Sequence, residues 1–115
     1  MPTELPVLDA AAAACCSPIT GGVMGDAEVA SLAAKFKAMG DPTRLRLLSL
    51  VAASEGGEAC VCDLNDQLDL SQPTVSHHLK LLVDAGLLTR SKRGVWSYYA
   101  LVPGALPALA DTLQV

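Results

Sequence analysis

Two pairs of thiols are the residues in this chain best suited to chemistry: Cys15 beside Cys16, and Cys60 one residue from Cys62. Thiolates are soft ligands that select zinc, copper(I), cadmium, lead or arsenite over hard ions. Where the chain is extended at a helix start, a one-residue gap lets both sulfurs approach one ion, and the helix N-terminus lowers the thiol pKa. Adjacent cysteines share an ion only with strain, which a tetrahedral four-thiolate site exposes more than a pyramidal three-coordinate one. Three sulfurs suit arsenic(III) or antimony(III); a four-thiolate cadmium, lead or zinc site is the alternative. The plain counter-reading is that four small apolar side chains are simply buried.

A second constellation lies in the stretch SQPTVSHHLKLLVDAG, Ser71 to Gly86. Ser71 is a good N-cap, Pro73 sits in the first turn where its missing N–H costs nothing, and Gly86 can stop a helix in the left-handed conformation. Val75, Leu79, Leu82 and Val83 form one apolar stripe, leaving Gln72, Thr74, Ser76, His77 and Lys80 off it. Hydroxyls, an amide, an imidazole and an ammonium are the groups that reach base edges and phosphates when a helix lies in the DNA major groove. The same pattern also fits an ordinary solvated helix face.

The elements around these residues decide between the readings. Residues 1–25 hold three prolines and three glycines around an apolar stretch from Val7 to Cys16, which reads as an arm with a short helix. Asp26 is the expected cap of a core helix carrying Val29, Leu32, Ala33, Phe36 and Met39, stopped by Gly40. Asp41-Pro42 restarts the chain into a helix to Ala53 with Leu45, Leu48 and Val51 inward and Leu47 and Leu50 widening the face. Arg44 and Arg46 read as solvated charges near its start, with a phosphate contact open to either. After a glycine-rich turn, SEGGE, a short helix is expected from Asp63 or the residue before it, through Leu64 and Leu68. Asp69-Leu70-Ser71 then leads tightly into the reading helix, which is the helix-turn-helix pattern.

Leu87 to Ser91 and Val95 to Leu101 flank Lys92-Arg93-Gly94 and predict a β-hairpin, a wing with Lys92 and Arg93 at its tip and Arg90 on the strand leading there. Pro103 opens a last segment with Leu106, Leu109 and Leu113 at helical spacing. Its apolar face predicts a subunit interface, and a two-fold dimer would set two reading helices one DNA turn apart. The expected class is mainly α with a β-hairpin wing: an arm over 1–25, a winged helix-turn-helix domain over 26–103 and a dimerisation helix over 104–115.

At 115 residues the chain is one domain, 51% hydrophobic with one Phe, one Trp and two Tyr, so its core must be aliphatic. The net charge of −4 hides an asymmetry. Residues 1–70 set Lys35, Lys37, Arg44 and Arg46 against ten acids, a balance of −6, whereas residues 71–115 set Lys80, Arg90, Lys92 and Arg93 against Asp84 and Asp111, a balance of +2. A local basic patch on an acidic body suits selective DNA binding better than bulk attraction to phosphate. No apolar run approaches the roughly 20 residues needed to cross a bilayer, and no basic region precedes the Ala-rich stretch. A cytoplasmic protein with reduced thiols is expected.

GDPTRLRLL at Gly40–Leu48, ACVCDL at Ala59–Leu64 and LSQPTVSHHLKLLVDAGLL at Leu70–Leu88 occur in one order and spacing. Over about residues 26–103 the chain resembles the ArsR/SmtB family of metal- and metalloid-responsive repressors. The resemblance implies a winged helix-turn-helix homodimer that holds its operator and releases it when a soft metal or metalloid binds. It places DNA contacts at Gln72, Thr74, Ser76 and His77, and backbone contacts at Lys80, Arg90, Lys92 and Arg93; His78 is adjacent and packs or reads. The inducer site it implies includes Cys60 and Cys62. The arsenite-sensing archetype carries CVCDLC there, and Asn65 stands in this chain where the third thiol would be. Cys15 and Cys16 of a partner subunit are the available replacements. The last segment, with Asp111 and no His, lacks the ligands of the family's C-terminal zinc site.

Two rivals remain open. A redox switch would use the same thiols as disulfides. A thiol enzyme is disfavoured: no Gly-rich phosphate loop is present, no cysteine is paired with an acid-base residue, and both His residues are consecutive on the reading helix.

Overall fold

The computed structural model describes residues 18–114. In chain order it contains α1 (Asp26–Met39), α2 (Pro42–Ala53), a 3-10 turn (Glu55–Gly57), β1 (Glu58–Cys60), α3 (Val61–Gln67), α4 (Gln72–Asp84), β2 (Leu88–Arg93), β3 (Trp96–Leu101) and α5 (Ala105–Thr112). The strands form one antiparallel sheet in the order β1-β3-β2. This is a helix-turn-helix, α3 and α4, followed by a wing, as the sequence leads one to expect. Cys15, Cys16 and the short helix expected in the arm lie outside the described residues.

The first helix begins one step earlier than expected. Gly25 occupies the N-cap without a side-chain bond, and Asp26 is the first helical residue. Asp26 and Glu28 still favour the positive end of the helix, and Lys37 the negative end. Leu32 and Ala38 are buried, while Val29 and Ala33 are exposed. In α2, Asp41 is the cap, accepting the backbone N–H of Thr43 at 2.9 Å and of Arg44 at 3.1 Å. Leu47, Leu48 and Val51 are buried, but Leu45 points outward at 53% exposure. The inward row is thus Arg44, Leu47, Leu48 and Val51, at i, i+3, i+4 and i+7. Arg44 lies on it, where a solvated charge was expected.

The helix α4 is bounded as its residues dictate. Ser71 Oγ accepts the Thr74 N–H at 3.4 Å. At the other end Gly86 has φ +81°, the Gly86 N–H bonds the Val83 carbonyl at 2.9 Å and the Leu87 N–H bonds the Leu82 carbonyl at 3.0 Å. That paired closure is a Schellman motif, and only glycine adopts its geometry without strain. It turns the chain directly into Leu87 and Leu88, both buried, so the wing is rooted in the core. Val75, Leu79 and Leu82 are fully buried among Leu47, Val51 and Leu64.

Two other boundaries differ. The helix α3 starts at Val61 with Cys60 as its cap, and the residues before it form β1, pairing Glu58 with Ala100 and Cys60 with Tyr98. Three residues are too few to show strand periodicity in the sequence. In the wing, Arg93 pairs with Trp96, so the turn is Gly94-Val95, and Lys92 and Arg93 lie within β2. A two-residue hairpin loop needs positive φ, which Gly94 supplies at +65°. In α5, Leu109 and Thr112 are buried and Leu113 is 61% exposed, so part of the expected interface stripe covers this chain's own core. The Ile19 N–H bonds the Thr112 carbonyl at 2.8 Å, tying the chain entering α1 to the C-terminal helix.

Replacing Leu79 with Ala should cost about 2–5 kcal/mol in denaturant unfolding, since a fully buried leucine leaves a cavity. A loss below about 1 kcal/mol would show that α4 is not anchored by this stripe. The Asp41 carboxyl is held below its ordinary value of 3.8, first by the Arg44 backbone N–H, with the Arg44 charge and the Thr43 N–H adding to it. A depressed folded value contributes stability above the unfolded value and loses it as pH falls through the folded one. Asn caps equally well without titrating, so Asp41→Asn should lose less thermal stability than the unaltered protein between about pH 5 and pH 2. Parallel losses would exclude Asp41 as a contributor.

Candidate nucleic-acid interface and thiol site

The polar residues of α4 divide into two rows. Gln72, Ser76 and Lys80, four apart, line a cleft of ≈ 590 Å³ between α4 and the wing, whose other wall includes Arg90, Lys92, Val95, Trp96 and Ser97. Thr74 and His77 are exposed on the outer row. Several of these groups already have partners. Thr74 Oγ1 lies 2.8 Å from Ser71 Oγ, so its hydroxyl is shared with the cap. Lys80 Nζ lies 2.7 Å from Asp84 Oδ2, a pair with both side chains more than half exposed. Such a pair contributes little stability and exchanges readily for a phosphate. Arg90 donates to Ser97 Oγ at 3.2 and 3.1 Å, which holds it along the wing.

Strand alternation separates the basic residues of the wing. Arg90 and Lys92 face the cleft. Arg93, one residue on, falls on the opposite face and binds Glu58 on β1 with both nitrogens, at 2.6 and 2.9 Å. Its guanidinium carbon also lies 4.5 Å from the centre of the Tyr98 ring. The Arg93 hydrogen bond holds the Glu58 carboxyl below its ordinary range, and the same bond raises the Arg93 guanidinium. Of the four basic groups expected to meet DNA, Lys80, Arg90 and Lys92 are therefore gathered on one cleft, and Arg93 is not. Val95, 83% exposed, and Trp96, 49% exposed, stand at the turn instead. A turn at Lys92-Arg93-Gly94, as the basic run suggests, leaves both within the second strand; the requirement for glycine at positive φ is the signal that moves the turn to Gly94-Val95.

His78 is half-buried and accepts from Arg44, Nη1 to Nδ1 at 3.1 Å. It packs against the domain, with its ring 5.9 Å from that of exposed His77.

The thiols sit on the other side of the sheet. Cys60, buried, ends β1 and caps α3, its sulfur accepting the Cys62 N–H at 3.3 Å. Cys62 is half-buried, the two Cα atoms are 5.3 Å apart, and the sulfurs are in disulfide contact. Cys60 opens onto a groove of ≈ 480 Å³ lined also by Glu55, Glu58, Asp63, Asp66 and Tyr98. Reduced to thiolates, two neighbouring sulfurs at the start of a helix would be donors for a soft ion, not a hard one. Among the described residues no three His, Cys, Asp or Glu side chains converge on a common metal position. Asn65, at the place of the archetype's third thiol, turns inward, and its Oδ1 is buried without a hydrogen-bond partner. A soft ion at Cys60 and Cys62 therefore needs a further donor from outside this set.

The model of the family described as bacterial regulatory protein, arsR family, matches residues 41–90, from the cap of α2 to Arg90 in the wing. A helix-turn-helix-type transcriptional regulator of Methanocaldococcus jannaschii is 51% identical over 67 residues, covering 58% of this chain and 73% of its own length. The arsenical resistance operon repressor of Escherichia coli is 51% identical over 75 residues, covering 65% of this chain and 62% of its own length, so the match spans under two thirds of that relative. The crystal structure of a possible transcriptional regulator for arsenical resistance superposes with a TM-score of 0.59 at 36% identity, covering 66% of this chain and 76% of the other. With half of the aligned residues identical to a regulator nearly three quarters of whose length is matched, and with the fold shared, the chain belongs to the arsR family, whose members are transcriptional regulators and not enzymes.

Proposed function

We propose that this protein is a homodimeric, cytoplasmic repressor that holds operator DNA and lets go when arsenic(III) or antimony(III) binds its thiolates. The observation that carries the reading is the pairing of two features on opposite faces of one small sheet. On one face lies the cleft with Gln72, Ser76, Lys80, Arg90 and Lys92; on the other lie the sulfurs of Cys60 and Cys62. Gln72, Thr74, Ser76 and His77 read base edges, and Lys80, Arg90 and Lys92 meet phosphates. Arg93 reaches DNA only by leaving Glu58. The relatives named for arsenical resistance support arsenic as the inducer.

Cys60 and Cys62 supply two sulfurs, and Cys15 or Cys16 of the partner subunit completes the set. Cadmium, lead or zinc bound by four thiolates is the alternative within this reading. The link to DNA is short. Cys60 belongs to β1, which pairs with β3 of the wing, and it caps the helix that supports α4. An ion that draws the sulfurs toward the partner's arm shifts both elements that frame the cleft. A coupling of about 1–3 kcal/mol would weaken DNA binding several-fold to a hundredfold. The exposed Leu113 and Ile19 flank the tie between α5 and the chain entering α1, and they favour a dimer axis there.

Gel-shift titration of one operator duplex with arsenite, antimonite, cadmium, lead and zinc tests this. Wild type should release DNA most sensitively with arsenite or antimonite. At least one of Cys60→Ser and Cys62→Ser, and at least one of Cys15→Ser and Cys16→Ser, should bind DNA normally yet fail to release it. If all four variants respond as wild type does, the site is wrong.

The placement of Cys60 and Cys62, two apart in the chain with their Cα atoms 5.3 Å apart, is within disulfide reach and favours one second reading, a redox switch. Two thiols and hydrogen peroxide would give one disulfide and two waters, with both electrons passing from sulfur to peroxide. Peroxide in chelator-treated buffer should then release DNA from wild type, and dithiothreitol should restore binding. Retention of DNA under peroxide leaves the ion as the signal.

A further inference from the structure

We infer that Arg44 is a positioning residue for the reading helix: through His78 it fixes the rotation of α4 about its own axis, and with it the selectivity of DNA binding. The inference rests on the proposal that α4 reads DNA. Arg44 lies on the inward row of α2, and its guanidinium joins three elements. Nε donates to the Ala38 carbonyl at 2.6 Å and Nη2 to the Lys37 carbonyl at 3.5 Å, both in the last turn of α1; the Lys37 carbonyl also accepts the Gly40 N–H at 3.2 Å. Nη1 donates to His78 Nδ1 at 3.1 Å on α4. An arginine can only donate, so Nδ1 is the acceptor in this pair. Asp41 caps α2 beside this arginine, accepting its backbone N–H at 3.1 Å.

Geometry gives this bond a role that apolar packing cannot fill. Val75, Leu79 and Leu82 press α4 onto the core, but dispersion and burial are non-directional and oppose a small roll of the helix only weakly. His78 stands at the flank of that stripe, off its centre, where a bond of fixed length converts directly into a fixed rotation. Exposed His77 follows from the adjacent position, its ring 5.9 Å away and tilted by 55°. Base-edge hydrogen bonds depend on such placement, whereas contacts of flexible lysines with phosphate tolerate a shift. Loss of the bond should therefore cost selectivity before it costs binding.

The test uses the full chain and two probes: a duplex selected by the wild-type protein from a random pool, and a scrambled duplex of equal length. Arg44→Lys keeps the charge but cannot bond α1 and His78 at once. His78→Leu removes the acceptor, and His78→Asn retains an oxygen near the position of Nδ1. The prediction is that Arg44→Lys and His78→Leu bind the selected duplex about tenfold more weakly and the scrambled one within about twofold of wild type. His78→Asn should keep the wild-type ratio between the two within about threefold. Equal losses on both duplexes, or equal losses for His78→Asn and His78→Leu, would overturn the inference by showing a merely structural role. If Arg44→Lys fails to fold by circular dichroism, the two His78 variants decide alone. If wild type selects no duplex from the pool, the repressor reading fails as well; if it selects one and the variants retain its ratio, only the inference on Arg44 fails.

Discussion

The helix α4, which presents the polar rows beside the wing, is mounted on the fully buried seam of Val75, Leu79 and Leu82. Burying an aliphatic side chain of this size stabilises by about 1.5–3 kcal/mol, so three of them hold α4 firmly to the domain. The seam commits the remaining sides of the helix to solvent, and the spacing of the sequence sorts them. One polar row borders the wing and another looks outward. The Schellman closure at Gly86 carries the seam directly into Leu87 and Leu88. Helix and wing consequently share one foundation, and the cleft between them has a shape the core dictates.

The sheet does more than present basic residues. Its middle strand, β3, pairs with the outer wing strand on one edge and with β1 on the other. Alternation along these strands gives the sheet two chemistries. Arg90 and Lys92 face the cleft, while Arg93 shares the far side with Glu58, Tyr98 and the strand that ends at Cys60. The thiols thus lie close to the interface yet on the reverse of it. Under the proposed reading, an ion held there would act without touching DNA or competing with it. On the same reading, a change in the placement of β1 would reach the wing wall of the cleft through its pairing with β3, and a change in the cap of α3 would reach the other wall through its packing on α4.

Much of this was legible in the residues. Ser71, Pro73 and Gly86 mark both ends of the reading helix, and apolar periodicity gives its buried stripe, because capping and amphipathicity are local properties. The hairpin was legible too, though its turn was displaced: a run of basic residues suggests a tip, but the chain turns where glycine permits positive φ. Other features are long-range and leave no local mark. β1 is three residues long and exists because β3 offers it an edge. Glu58 and Arg93 are 35 residues apart. An arginine near a helix start reads as a solvated charge; only the direction of the inward row of α2 shows that Arg44 points at α1 and α4. The relation between Cys60 and Cys62 was foreseeable from their spacing, while the inward turn of Asn65 was not.

The central claim is that the sulfurs of Cys60 and Cys62 grip the inducing ion. Arsenic-edge X-ray absorption on protein loaded with arsenite addresses it most directly, because the method reads the identity of the atoms bound to arsenic. The account predicts a shell made wholly of sulfur, in which sulfur gives way to oxygen when Cys60 and Cys62 are replaced by serine. An arsenic shell unchanged by both replacements would contradict it.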